Sequence, residues 1–153
     1  MNGVKIAVVD TNIVLDLFLF HDPRTTFLRE QLLAGHLIWC ATQHMRNELE
    51  RVLTYAHIAA KLSFYEKSPR DILAAFDQHA QITPAPSAKA PYTCKDADDQ
   101  PFIDLACHFA GQGNSADAAQ KPKIHLISKD KAVISMRKRL EKLSVIVTTT
   151  YLV

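Results

Sequence analysis

Six carboxylates in this sequence are placed where they could act together: Asp10, Glu48, Asp96, Asp98, Asp99 and Asp130. Acids drawn to one place from separate segments repel one another, and each unpaired charge raises the pKa of the rest. Such a set is stable near neutral pH chiefly when it holds hard cations. Oxygen ligands without cysteine or clustered histidine point to Mg²⁺ or Mn²⁺ rather than zinc or copper. The seven histidines (His21, His36, His44, His57, His79, His108, His125) show no HxxxH spacing, and Cys40, Cys94 and Cys107 no CxxC spacing. A divalent ion on such acids suits phosphodiester hydrolysis, because it activates water and neutralises charge developing on the phosphate. No side-chain nucleophile is then needed, and the sequence contains no GxSxG, GxxxxGK[ST] or GxGxxG motif.

The acids can cooperate only if the fold delivers them to one edge. Val4 to Val9 is a short β-branched run that predicts a buried strand, and Asp10 ends it. A short helix is expected over Ile13 to Phe20 and a second over Arg24 to Ala34, closed by Gly35. His36 to Cys40 is a strand candidate, and Thr42 caps an amphipathic helix to about Leu53. Tyr55 to Ile82 reads as one or two helices, with Ser68-Pro69 as an N-terminal signal. Thr83 to Pro91 is an extended connector, and Asp96 opens a helix through about Ala110. Gly111 to Lys123 reads as an exposed loop, Ile124 to Ile127 as a strand, Lys131 to Leu143 as a helix, and Val145 to Thr148 as a strand.

Strands alternating with helices imply right-handed crossovers and a parallel sheet covered on both faces. The expected fold is α/β, with a central sheet of four to five strands in a three-layer α/β/α arrangement. In open parallel sheets a site forms beyond the carboxyl ends of the strands. Asp10 and Asp130 each follow a strand there, Glu48 lies on the helix leaving the second strand, and Asp96 to Asp99 begin the helix leading to the third.

Helical periodicity separates neighbouring acids. Glu48 falls about 40° from Val52 on the wheel, at the border of the inner face, whereas Glu50 falls about 160° away. Asp99 lies within about 20° of the inner residue Ala106, while Asp104 is about 160° from it and reads as a surface acid. Asp98 lies on the other margin of that stripe. Capping explains some of these acids equally well. Asp10 and Asp130 each follow a strand and precede a helix, and Asp96 with Asp99 resembles a capping box.

Composition sets the frame. The chain of 153 residues, 48% hydrophobic and 22% charged, suits one folded domain over 1–153 rather than a disordered segment. Its longest early apolar run, Ile13 to Phe20, contains Asp16 and is too short to span a bilayer. No secretory leader is recognisable and the cysteines are odd in number, so a cytoplasmic, reducing setting is expected. The net charge of +2 hides an asymmetry. Residues Lys121 to Lys142 carry +6 and the rest −4, which suits an enzyme that holds cations and receives a polyanion. Lys129, Lys131, Arg137, Lys138 and Arg139 could contact a nucleic acid backbone without reading its sequence, or could equally be a solvated helix face.

Four segments in order, Val8-Val9-Asp10-Thr11-Asn12, Glu48-Leu49-Glu50-Arg51-Val52-Leu53, Cys94 through Ala106 with Asp96, Asp98 and Asp99, and Leu126-Ile127-Ser128-Lys129-Asp130, resemble the PIN-domain family. The likeness is to the branch of toxin components of toxin–antitoxin pairs. It implies that Asp10, Glu48, Asp99 and Asp130 are the catalytic acids and metal ligands, with Asp96 as an additional ligand. Thr11, Asn12 and Ser128 would hold these carboxylates in place, and Asp98, from its place on the helix margin, could support them. It further implies a Mg²⁺- or Mn²⁺-dependent endoribonuclease acting on single-stranded RNA, paired as a homodimer and silenced by a cognate antitoxin protein. Ala132 stands where many members carry a further Asp, and Ala97 replaces a frequent Pro.

Two other readings compete. Ala132 would suit an RNA-binding or partner-binding module that keeps the fold with weak catalysis. A phosphoryl-receiver domain also clusters acids on an α/β sheet, but it would want adjacent acids after the first strand, where this chain offers Asp10 alone.

Overall fold

A computed structural model describes residues 5–111 and 123–150. Five strands, β1 (Lys5–Val9), β2 (Leu37–Ala41), β3 (Ala80–Ile82), β4 (Ile124–Ile127) and β5 (Val145–Thr148), form one sheet in the order β3-β2-β1-β4-β5. Every neighbouring pair is parallel. The central strands are β-branched and apolar because both of their faces are covered: Val8, Ile124, Leu126 and Ile127 are fully buried.

Eight helices accompany the sheet among the described residues: α1 (Thr11–Phe18), α2 (Thr26–Ala34), α3 (Gln43–Val52), α4 (Ala56–Phe64), α5 (Pro69–His79), α6 (Gln100–Gly111), α7 (Lys131–Ile134) and α8 (Arg137–Glu141). The chain steps outward from β1 through β2 to β3, returns across the sheet to β4, and steps outward again to β5. Right-handed crossovers made in opposite directions put α1–α5 on one face and α6–α8 on the other. The α6 helix accordingly packs on β1 and β4, and α7 and α8 pack on β5. The expected three-layer α/β/α architecture is therefore present. No helix among the described residues is long and apolar enough to cross a membrane.

Local signals operate as their chemistry requires. Thr42 Oγ1 accepts from Met45 N and caps α3, and Ser68 with Asp71 forms a full capping box on α5. Gly35 closes α2 at φ 77°, a conformation that suits glycine.

Three expectations need correction. The helical reading of Tyr55 to Ile82 ends early, because Ala80–Ile82 leaves α5 to become the edge strand β3 beside β2. The single helix expected over Lys131 to Leu143 is two short ones, divided by a turn at Ser135 and Met136. The helix expected from Asp96 starts with a 3-10 turn, Ala97–Asp99, before α6 proper. Residue Val4 and residues 112–122 of the expected loop lie outside the described residues.

Candidate metal centre

The sheet order places a topological switch point between β1 and β4, where the connections leave in opposite directions and open a crevice. The β1–β4 register pairs Val9 with Ile127, so the next residues, Asp10 and Ser128, emerge side by side. Asp10 N continues the ladder to Ile127 O at 2.9 Å, and Ser128 N reaches Thr148 O at 3.0 Å. Both residues are buried.

Asp10 is held by two donors. Ser128 Oγ donates to Oδ2 at 2.6 Å, and Thr11 N donates to Oδ1 at 2.7 Å, which caps α1. The capping and site readings of Asp10 therefore describe one arrangement. Burial pushes its carboxyl above the ordinary value; the Ser128 and Thr11 bonds oppose that, and the charges of Asp130 and Asp96 add to it. The same Ser128 hydroxyl accepts from Asp130 N at 3.0 Å, and Asp130 Oδ1 accepts from Ala132 N at 2.9 Å to cap α7. Asn12 Oδ1 accepts from Lys129 N at 3.3 Å and so steadies the loop after β4.

Glu48 arrives from α3 on the expected border. It is half-buried while Glu50 is exposed, and it accepts from Thr11 Oγ1 at 3.3 Å. Thr11 thus bridges the first and second acids. Burial raises the Glu48 pKa first, and the nearby Asp10 charge raises it further.

The tightest group is Asp96, Asp99 and Asp130, each of which offers a carboxylate oxygen within 4.8 Å of the other two. Asp96 Oδ1 caps its 3-10 turn by accepting from Asp98 N at 2.9 Å. Asp99 is 6% exposed, and its Oδ2 is buried with no hydrogen-bond partner. Its pKa is pushed up to about 8, by burial first, then by the adjoining Asp130 carboxyl, then by the charges of Asp10, Asp130 and Asp96.

An ionised carboxylate oxygen buried without a donor is costly. A hard divalent ion would meet that oxygen and offset the repulsion among three acids, so the residues present fit such an ion. Asp96, Asp99 and Asp130 are the set whose oxygens converge; Asp10 borders it electrostatically, and Glu48 is joined to Asp10 through Thr11. Asp98 is exposed, and together with Glu48 it lines a surface notch next to these acids.

The basic residues divide. Lys129 Nζ lies 2.5 Å from Asp16 Oδ2. Lys131 is exposed beside Asp130. Arg137, Lys138 and Arg139 are exposed on α8, a separate helix packed on β5, and the Arg139 guanidinium lies 5.9 Å from the centre of the Tyr92 ring.

Two residues escaped sequence reading. Asp16, the one acid within the Ile13 to Phe20 run, is buried on α1 and takes Lys129 as its counter-ion. An acid inside an otherwise apolar helix was the available signal, since it must find a cation. Asp104, expected at the surface, is half-buried and accepts from Ala90 N at 2.8 Å and Gln100 Nε2 at 2.9 Å.

A search of curated proteins finds no match to this chain. A family profile described as PIN domain matches residues 6–112, which carry β1 from Ile6 on, β2, β3 and the acids Asp10, Glu48, Asp96 and Asp99. Ser128 and Asp130 lie beyond the matched residues and join the site through the register of β4 on β1. A nuclease-type fold with acids that can bind a metal at its switch point agrees with that profile: the chain belongs to the PIN domain family.

Proposed function

We propose that the protein is a Mg²⁺- or Mn²⁺-dependent endoribonuclease that cuts single-stranded RNA. The observation that carries this reading is the convergence of Asp96, Asp99 and Asp130 around the unpartnered Asp99 Oδ2, next to the anchored Asp10.

Asp96, Asp99 and Asp130 would hold the divalent ion, with Asp10 and Glu48 completing the acidic wall. The ion, when bound, would activate water and neutralise charge on the phosphate and the leaving oxygen. The chain's own part is to hold these groups still. Ser128 fixes Asp10 and the backbone before Asp130 with a single hydroxyl, and Thr11 fixes Asp10 and Glu48 with its amide and its hydroxyl. Asp99 must give up its proton before it can serve as a ligand. Lys131 and the α8 cations would attract the RNA backbone through contacts that weaken with salt.

Membership of the toxin branch extends the proposal. The chain would be the toxin of a type II pair in the cytoplasm, silenced by a cognate antitoxin protein, and would act as a homodimer. The four-segment resemblance supports that extension.

The test is incubation of the purified full chain with single-stranded RNA in EDTA, Mg²⁺ or Mn²⁺. Cleavage in either metal, absent in EDTA and absent in Asp10→Asn, is expected. One observation favours a second reading, a catalytically weak RNA-binding or partner-binding module: position 132 is alanine, so it adds no carboxylate beside Asp130. RNA retention without metal and without cleavage would select that module.

A further inference from the structure

Beside the acids, on the side of α3, lies a notch of about 320 Å³. Glu48, Arg51, Val52 and Tyr55 form one wall, and Asp98 and Pro101 form the other. Its contents are unlike those of the metal centre. Val52 and Pro101 are apolar, Tyr55 is 44% exposed, and Arg51 is an exposed cation close enough to lower the Glu48 pKa. A second cavity, lined by Thr42, His44 and Ala85 to Lys89, shares His44 and Pro101 with the notch and prolongs it along the connector.

We propose that this notch is a nucleotide subsite, which receives the unpaired base and sugar flanking the cut phosphate and so restricts the enzyme to single strands. The inference rests on the nuclease reading above and adds the place where the substrate is held.

Three features support it. The volume is near the lower end of the range for small-ligand pockets, about 300–1,000 Å³, which suits one nucleoside and not a duplex. An aromatic ring with apolar neighbours gives a base a stacking platform that tolerates any sequence. Arg51 supplies a cation for the adjoining phosphate in a region otherwise crowded with acids, where a polyanion would be repelled. Glu48 belongs to both places, so a nucleotide seated here puts its phosphate next to the acids. A base within a duplex is stacked and paired and presents no free face to Tyr55.

Tyr55 needs no side-chain hydrogen bond to cap α4, so its replacement leaves that helix end intact. The experiment uses the full chain with a single-stranded RNA decamer carrying 2-aminopurine, and compares wild type with Tyr55→Ala, Tyr55→Phe and Arg51→Ala. In Mn²⁺, Tyr55→Ala is expected to raise KM about 5- to 150-fold with kcat nearly unchanged, and Tyr55→Phe to stay near wild type. In EDTA, wild type is expected to quench the 2-aminopurine on binding and Tyr55→Ala to lose the quench. Cleavage with an unchanged KM in Tyr55→Ala would overturn the subsite and spare the nuclease. Quenching that needs Tyr55 without any cleavage in metal would spare the subsite and overturn the nuclease. An equal loss in Tyr55→Ala and Tyr55→Phe would overturn the stacking role.

Discussion

The Ser128 hydroxyl donates to Asp10 Oδ2 at 2.6 Å across a separation of 118 residues, and it also accepts the amide proton of Asp130. One fully buried oxygen therefore sets the position of an acid from each end of the chain. Ser128→Ala leaves Asp10 Oδ2 and the Asp130 amide short of a partner. The expected cost is about 1–3 kcal/mol in urea unfolding. Divalent-ion affinity should fall about 10- to 100-fold, as it does when groups that orient metal ligands are removed. Unchanged unfolding and unchanged Mn²⁺ titration would mean that the hydroxyl is dispensable.

Asp99 makes the metal-free protein sensitive to pH. Its folded pKa of about 8 lies above the ordinary carboxylate value. Its contribution to stability is therefore intact below about pH 4 and is lost as pH rises towards 8. Ion binding must expel the proton, so Mn²⁺ affinity should weaken about tenfold per pH unit on going from 8 to 6. Titration calorimetry in buffers of different ionisation heat reads both the affinity and the released proton. A flat affinity across that window would remove Asp99 from the ligand set.

Asp99→Asn should separate stability from function. In EDTA at pH 8 the variant no longer confines a carboxylate among other acids, and its melting temperature should rise by about 2–4 °C for each kcal/mol relieved. With Mn²⁺ the stabilisation seen in wild type should disappear. Thermal melts with and without metal check both halves, and a drop in the EDTA melting temperature would contradict the first.

Asp96→Asn and Asp130→Asn should weaken ion binding more than Glu48→Gln, because their oxygens converge with those of Asp99 while Glu48 hangs on Thr11. Losses above the roughly 10- to 100-fold typical of supporting groups are expected for the first two. Glu48→Gln should keep most of the affinity and still lose cleavage. Equal affinity losses in all three variants would place Glu48 among the direct ligands.

Lys129 is engaged by Asp16, and this sets it apart from the other cations. Lys129→Met strands a buried carboxylate. Because the lysine is 37% exposed, the cost should be about 1–2 kcal/mol rather than the about 3–5 kcal/mol of a fully buried pair. The double variant with Asp16→Asn should recover much of the loss. Lys131→Ala should instead leave stability alone and lower the salt dependence of RNA binding by about one phosphate contact. A strong salt effect from Lys129→Met and none from Lys131→Ala would reverse these roles.

The strands beside the site were legible because a covered sheet leaves a plain chemical trace: Ile6 to Val9 and Val145 to Thr148 are continuous apolar or β-branched runs, and Ile124 to Ile127 is one apart from His125. The third strand left no such trace. Ala80-Gln81-Ile82 is extended because β2 offers it a partner, and that is a property of the assembled sheet. Val133, Met136, Leu140 and Leu143 share one helical stripe, so the break at Ser135 and Met136 was invisible without a glycine or proline to announce it. Periodicity distinguished Glu48 from Glu50 because burial follows the helix wheel. It failed at Asp104, whose carboxylate meets a connector amide that arrives from outside the helix. The closeness of Asp96 and Asp99 to Asp130 depends on how the start of α6 meets the end of β4, which no local pattern encodes.

The central strand β1 is flanked by β2 on one side and by β4 on the other, and β4 comes from the last third of the chain. During synthesis, everything through α6 can leave the ribosome while one flank of β1 is still bare and Asp10 has no serine to hold it. A messenger cut short before β4 would therefore yield a product that lacks both the Ser128 anchor and Asp130. Translation through β4 is the checkpoint: the acidic pocket closes only as β4 threads in beside β1.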